Sequence, residues 1–176
     1  MNKRSKARLV NGIISAFIVV FFAAHSLLGG LEAHFPLASP PALVMWAGIA
    51  IVGAHVVTSI VTSHEQLTNT AFPPSKRKKR HLALKWVTGG VLLAAIVAHI
   101  ACIRTFGSNA VQTSSTAMIV TLALVVALTV HIWVGTKSLI TDLGLSKRLV
   151  KPMRVVACAL AIAIGCIVIA GIVWGS

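Results

Sequence analysis

The sequence predicts an all-α integral membrane bundle of five transmembrane helices, with the N-terminus in the cytoplasm and the C-terminus outside. Three observations carry this prediction. Of 176 residues, 57% are hydrophobic and only 11% charged, with a mean hydropathy of +0.91, too apolar for a soluble domain of this size. Five apolar stretches of about 20 residues occur, each long enough at about 1.5 Å per residue to cross a hydrocarbon core of about 30 Å. The basic residues alternate between connections as a multi-pass topology requires.

The spans fall at about 9–29, 42–63, 83–103, 117–140 and 155–175. Inside lipid every backbone amide must be paired within its own segment, so each span is a helix. The chain, 1–176, then forms one domain, with no room for a soluble one and no evident internal repeat. The first span follows Lys3, Arg4, Lys6 and Arg8, a basic start like that of a secretory signal. Its apolar run is too long and lacks a small-x-small cleavage site, so it is expected to be retained.

Lys76, Arg77, Lys78, Lys79, Arg80 and Lys85 stand between the second and third spans, and Lys137, Lys147, Arg148, Lys151 and Arg154 between the fourth and fifth. With the four at the start, that is 15 of the 16 Lys and Arg; Arg104 alone falls on the other side. This asymmetry sets the predicted orientation. Trp46, Trp86 and Trp174 sit near span ends, where interfacial anchors belong. The net charge of +13 raises the question of nucleic acid. In a membrane chain such a cationic run is first a topology signal facing anionic lipid headgroups, and next a docking surface for an acidic protein, so no nucleic acid is expected. Cys102, Cys158 and Cys166 lie in or at the ends of spans, without paired spacing or a C-x-x-C-H motif, and read as small core residues.

Four of the seven histidines lie inside spans: His25, His55, His99 and His131, one in each of the first four and none in the fifth. An ionisable side chain at membrane depth marks function. Counted from span midpoints, His25 and His99 fall roughly 8 Å toward the outside and His55 and His131 about 4 to 6 Å toward the cytoplasm. The four thus form two pairs in layers roughly 12 to 14 Å apart, suited to two stacked haem groups. Neutral imidazole is a good axial ligand for haem iron, and two per iron leave no open site, which suits electron transfer. Pairing by depth gives His25 with His99 at an outer haem and His55 with His131 at an inner one. Gly135 lies one turn beyond His131, Gly53 beside His55, and Gly89 and Gly90 thin the third span, giving a flat macrocycle room. The competing readings are imidazoles that merely bond neighbouring helices, and a proton relay, for which the chain's three acids are few. His34, His64 and His81 fall in loops or at span ends and read as solvated polar residues.

The segment His131-Ile132-Trp133-Val134-Gly135-Thr136-Lys137-Ser138-Leu139-Ile140-Thr141-Asp142 resembles the haem-ligand region of the cytochrome b membrane anchors of succinate dehydrogenases and fumarate reductases, where a ligand His is followed by Gly four residues on and Asp eleven on. The likeness continues loosely to Val173-Trp174-Gly175. Five helices with ligand histidines on the first four also resemble the single-chain, two-haem anchors of menaquinone-linked members. The specific motif covers about a quarter of the chain. The resemblance implies two b haems, menaquinone or menaquinol as substrate, a bacterial cytoplasmic (inner) membrane, and a cytoplasmic flavoprotein and iron–sulfur pair that does the dicarboxylate chemistry. Leu143 stands where ubiquinone-linked anchors carry a tyrosine, so a cytoplasmic-side ubiquinone site is not implied. Thr129 stands where some two-haem members carry a glutamate two residues before the fourth ligand, so their transmembrane proton route is not implied either.

On this resemblance quinol oxidation needs a base near the outer pair. Glu32, the only acid on the outer side, is the candidate proton acceptor, with His34 as helper. Electrons are then expected to pass from the outer to the inner site and on to the iron–sulfur partner. Arg104 and Lys137 stand where haem propionates are expected to emerge, the alternative being that each snorkels to the interface. Asp142 orients the cytoplasmic loop, caps local backbone or lines a quinone pocket. Two other functions compete: a two-haem cytochrome b of a hydrogenase or formate dehydrogenase, and a cofactor-free transporter or structural membrane protein.

Overall fold

The computed structural model describes residues 5–32, 42–68, 73–107 and 110–174, and these are helical apart from short connections. The long helices are α1 (Lys6–Glu32), α2 (Ala42–Leu67), α3 (Lys76–Phe106), α5 (Ser115–Leu143) and α6 (Val150–Trp174), with a one-turn α4 (Ala110–Thr113) leading into α5. All five long helices are apolar enough to cross a membrane. Large apolar side chains such as Phe17, Val87, Val126 and Ile162 stay exposed on the outer surface of the bundle, where lipid is the solvent that accepts them.

The helices outrun the apolar spans because their polar ends are helical too. The run Lys76–His81 forms the first turns of α3, capped by Ser75, whose side chain accepts from the Lys78 amide. Ser114 caps α5 in the same way through the Ala117 amide. Gly144, at φ 74°, ends α5 in the left-handed conformation that glycine adopts without strain.

Packing defines a ring. α2 packs on α1, α1 on α5, and α5 on α3. The remaining edge, between α2 and α3, is bridged by Trp86 Nε1 donating to Ser63 Oγ at 3.2 Å. In this ring α1 lies diagonally across from α3, and α2 from α5. Helix α6 sits outside the ring against α5 and α1. Its first turns are fastened by Arg154, which lies 5.0 Å over the Trp133 ring and donates to the Trp133 carbonyl at 3.1 Å.

The start of α1 and the end of α5 meet at Asp142, which is 1% exposed. Arg8 sends both Nη2, at 2.8 Å, and Nε, at 2.9 Å, to Asp142 Oδ1, while Asn11 and Ser138 reach Oδ2 at 3.4 Å. Asn11 Oδ1 in turn accepts from Thr58 and Ser59 of α2, and Ser5 donates to Glu65 near the end of α2. Gly12 permits this approach: a Cβ there would stand 3.2 Å from the Asp142 backbone. The polar network gathers one end of the bundle, and the cations of the α1, α3 and α6 starts share that end.

Candidate functional site

A cavity of about 210 Å³ lies at the centre of the ring, with walls from α1, α2, α3 and α5. His55 and His131 line it from diagonal helices, their ring centroids 6.5 Å apart and their planes at 82°. Two imidazoles bonded at about 2 Å on opposite sides of one metal set their centroids roughly 6 to 6.5 Å apart once the ring radii are added.

Hydroxyls on neighbouring helices hold these rings. Ser15 Oγ of α1 lies 3.2 Å from His55 Nδ1, and Thr88 Oγ1 of α3 lies 3.1 Å from His131 Nδ1. In the other layer, Thr121 Oγ1 of α5 lies 3.1 Å from His99 Nδ1. Each hydroxyl has its single proton directed to a carbonyl in its own helix: Ser15 to Asn11, Thr88 to Leu84, Thr121 to Ala117. A hydroxyl whose proton goes to that carbonyl offers the ring only lone pairs; in that arrangement the imidazole donates from Nδ1–H and its Nε2 lone pair is the one open to a ligand. Support of a histidine through its distal N–H is the habit of metal-binding imidazoles.

These bonds also set the spacing. His131 stands level with Thr88 and His99 level with Thr121, so the layers are separated by the ten or eleven residues between hydroxyl and histidine along α3 and α5. Ser15 and His25 repeat the spacing on α1. At about 1.5 Å per residue the separation along the helices is about 15 Å, slightly more than the depth count predicts. The α1–α2 and α3–α5 hairpins thus repeat one arrangement, a hydroxyl ten or eleven residues before a histidine and a second histidine on the returning helix. No such repeat is evident in the sequence alone, since only a few polar positions recur.

His25 is held differently. Its ring stacks parallel to Phe21, one turn earlier on α1, at 6.2 Å and 3°, and lies within electrostatic range of His99 across the ring. Both histidine pairs therefore join diagonal helices, and α6, outside the ring, has no histidine to contribute.

Three glycines shape the cavity. A Cβ on Gly89 would come within 3.2 Å of His131 Cε1, whereas Gly90 and Gly135 face space with nothing within 4 Å of an added Cβ. Gly53 does not line the cavity and faces open space. The described residues contain no cluster of three or more His, Cys, Asp or Glu side chains fit for a bare metal ion. A two-imidazole donor set suits an iron that brings four equatorial nitrogens of its own. Two imidazoles facing a glycine-lined space are a donor set of the kind a haem takes.

Arg104 and Lys137 are exposed, and neither lines the cavity. The cation that does line it is Lys85. Sequence reasoning assigned Lys85 to a connection although it falls within the third span, and that position is the signal that identifies it. The hydroxyls were legible only as polar residues in apolar spans. Asp142 ties α5 to α1 and does not line the cavity. Glu32 ends α1, but its side chain, like His34, lies outside the described residues. His64 lies in the last turn of α2, and His81 in the first turns of α3. Of the cysteines, Cys102 is buried with Ala110 and Ala117, while Cys158 is half-buried and Cys166 faces outward. Comparison with family models, curated proteins and solved structures gives no match.

Proposed function

We propose that this chain is a two-haem b-type membrane cytochrome, the anchor subunit of a fumarate reductase or succinate dehydrogenase. It would pass electrons between menaquinone and a cytoplasmic flavoprotein and iron–sulfur pair. The observation that supports the haem reading best is the diagonal His55–His131 pair across a central cavity, each ring held at Nδ1 with Nε2 left available. The choice of complex rests on the resemblance of the segment from His131 to Asp142.

His55 and His131 hold the inner group and His25 and His99 the outer one. Haem b bound there would supply a one-electron iron couple, with these four histidines as the residues that would hold it. The chain's own residues do the rest. Ser15, Thr88 and Thr121 orient the ligands and raise their basicity by accepting from Nδ1–H. Glu32, at the end of α1 beyond the outer pair, is assigned to accept a proton from quinol. The basic end of the bundle faces the cytoplasm of a bacterial inner membrane, where its cations attract anionic lipid and the iron–sulfur subunit.

The test is a reduced-minus-oxidised spectrum with haem quantification on the purified chain, followed by analysis of co-purifying subunits. Two b haems per chain, with fumarate-dependent menaquinol oxidation in the complex, are the expected result. A folded, colourless chain overturns the haem reading. Hydrogenase or formate dehydrogenase subunits in the complex would keep the haems and overturn the choice of partner.

A further inference from the structure

Lys85 is out of place for a topology signal. It lies nine residues into α3, about 14 Å along the helix axis from its start. What separates it from the topology charges is the cavity: Lys85 stands on its wall, whereas Arg104 and Lys137 are exposed and do not. It is half-buried and lines the central cavity one turn below Gly89. Its charge is felt at both His55 and His131.

The charge balance at that end of the cavity is uneven. Asp142 is the one acid in electrostatic range of Lys85 among the described residues, and Arg8 is there as well. Arg8 already binds Asp142 Oδ1 through two nitrogens, and Asn11 and Ser138 reach Oδ2. Among the described residues that sets two cations, Lys85 and Arg8, against one carboxylate. The other polar groups of the cavity wall near this end, Asn11, Ser15, Ser59, Ser63 and Trp86, are neutral. A cation desolvated in an apolar site is costly unless an anion meets it.

We infer that Lys85 anchors an anion entering the cavity, the propionate carboxylate of the macrocycle held between His55 and His131. This rests on the haem reading above. The same ammonium chemistry would accept a lipid phosphate arriving through the sparsely bridged α2–α3 edge, so the test separates the two sources.

The full chain, stripped of haem in detergent, is titrated with haem and with haem dimethyl ester, whose propionates are uncharged. The wild type is expected to bind haem about tenfold more tightly than the ester. Lys85→Met, which keeps the stem and removes the charge, is expected to abolish most of that discrimination, and Lys85→Arg to retain it. In the loaded protein Lys85→Met should also shift the oxidised-to-reduced ratio of the haem that His131→Ala removes about tenfold toward oxidised, equivalent to a potential 59 mV lower for a one-electron couple. Equal affinity of the wild type for haem and ester overturns this inference while leaving the haem reading in place. So does unchanged discrimination in Lys85→Met, the result expected if the lysine serves lipid phosphate. A wild type that binds neither form overturns the haem reading itself. Should Lys85→Met fail to fold, Lys85→Gln and the wild-type comparison decide between the same outcomes.

Discussion

The two histidine layers differ in how completely the protein builds them. In the layer nearer the basic end, both rings lie against hydroxyls from neighbouring helices, their centroids stand 6.5 Å apart, and glycines open a cavity beside them. In the other layer Thr121 grips His99, and among the described residues His25 stacks on Phe21 of its own helix. Met45, ten residues before His55, occupies the place on α2 where Thr121 stands on α5, ten residues before His131. A hydroxyl is thus replaced by a thioether, and the outer layer has one tether where the inner has two. The difference teaches that the layers are not equivalent: the histidines of one layer are held by hydroxyls on both sides, and those of the other by a hydroxyl on one.

The strongest way to break the comparison is to remove ligands. His131→Ala and His55→Ala should each delete the same haem, and His99→Ala and His25→Ala the other, so every single variant falls from two haems to one by haem quantification. If His55→Ala and His131→Ala delete different haems, diagonal pairing is wrong. Filling the inner cavity comes next. Gly135→Leu places apolar volume where nothing stands within 4 Å of an added Cβ, so the empty chain should keep its thermal stability while the inner haem is lost and the outer retained.

How much of this was legible follows from the period of each signal. Long apolar runs fix helices in lipid, so five spans could be placed from composition, and the histidines' depths followed from the rise per residue. The diagonal ring was not legible, because it depends on which helix faces fit together, and these helices are apolar on nearly every face. Lys85 reads in sequence as a topology charge because its neighbours Lys76 to Arg80 are such charges. Its position just inside the third span is a faint signal, and its place on the cavity wall is the decisive one. The partner of Asp142 was hidden for a related reason: Arg8 lies 134 residues away and reads in sequence as one of four basic residues at the start.

The tethers sharpen the comparison at lower cost to the protein. Thr88→Val removes the acceptor for His131 Nδ1–H and should weaken inner haem binding about 10- to 100-fold, with Thr88→Ser restoring it. Thr121→Val should act with similar size on the outer haem alone. Arg8→Met tests whether the polar network at the basic end supports the inner layer. It leaves the Asp142 carboxylate with Asn11 and Ser138. It should cost about 1–3 kcal/mol of stability, less than breaking a fully buried pair because the Arg8 side chain is 28% exposed. Thermal unfolding with inner-haem retention measures both effects.

The smallest effect should come from Phe21→Leu, and it bears most directly on the asymmetry. Phe21 stacks on His25 and also meets Phe22 edge-on at 5.9 Å. An aromatic pair of this kind contributes about 0.5–1.5 kcal/mol beyond area burial. Leucine keeps most of the apolar volume that packs near Gly48 on α2, where a Cβ would stand 3.0 Å from the Phe21 ring. What changes is the surface that orients His25, a ring with no hydroxyl at the position that would match Thr121. The outer haem should therefore loosen by a few fold and the inner haem not at all. Introducing a hydroxyl through Met45→Thr should offset the loss, since it supplies the tether that the α3–α5 hairpin already has. A Phe21→Leu chain whose two haems respond equally would show that the layers are coupled and that the difference between them is not set by their separate tethers.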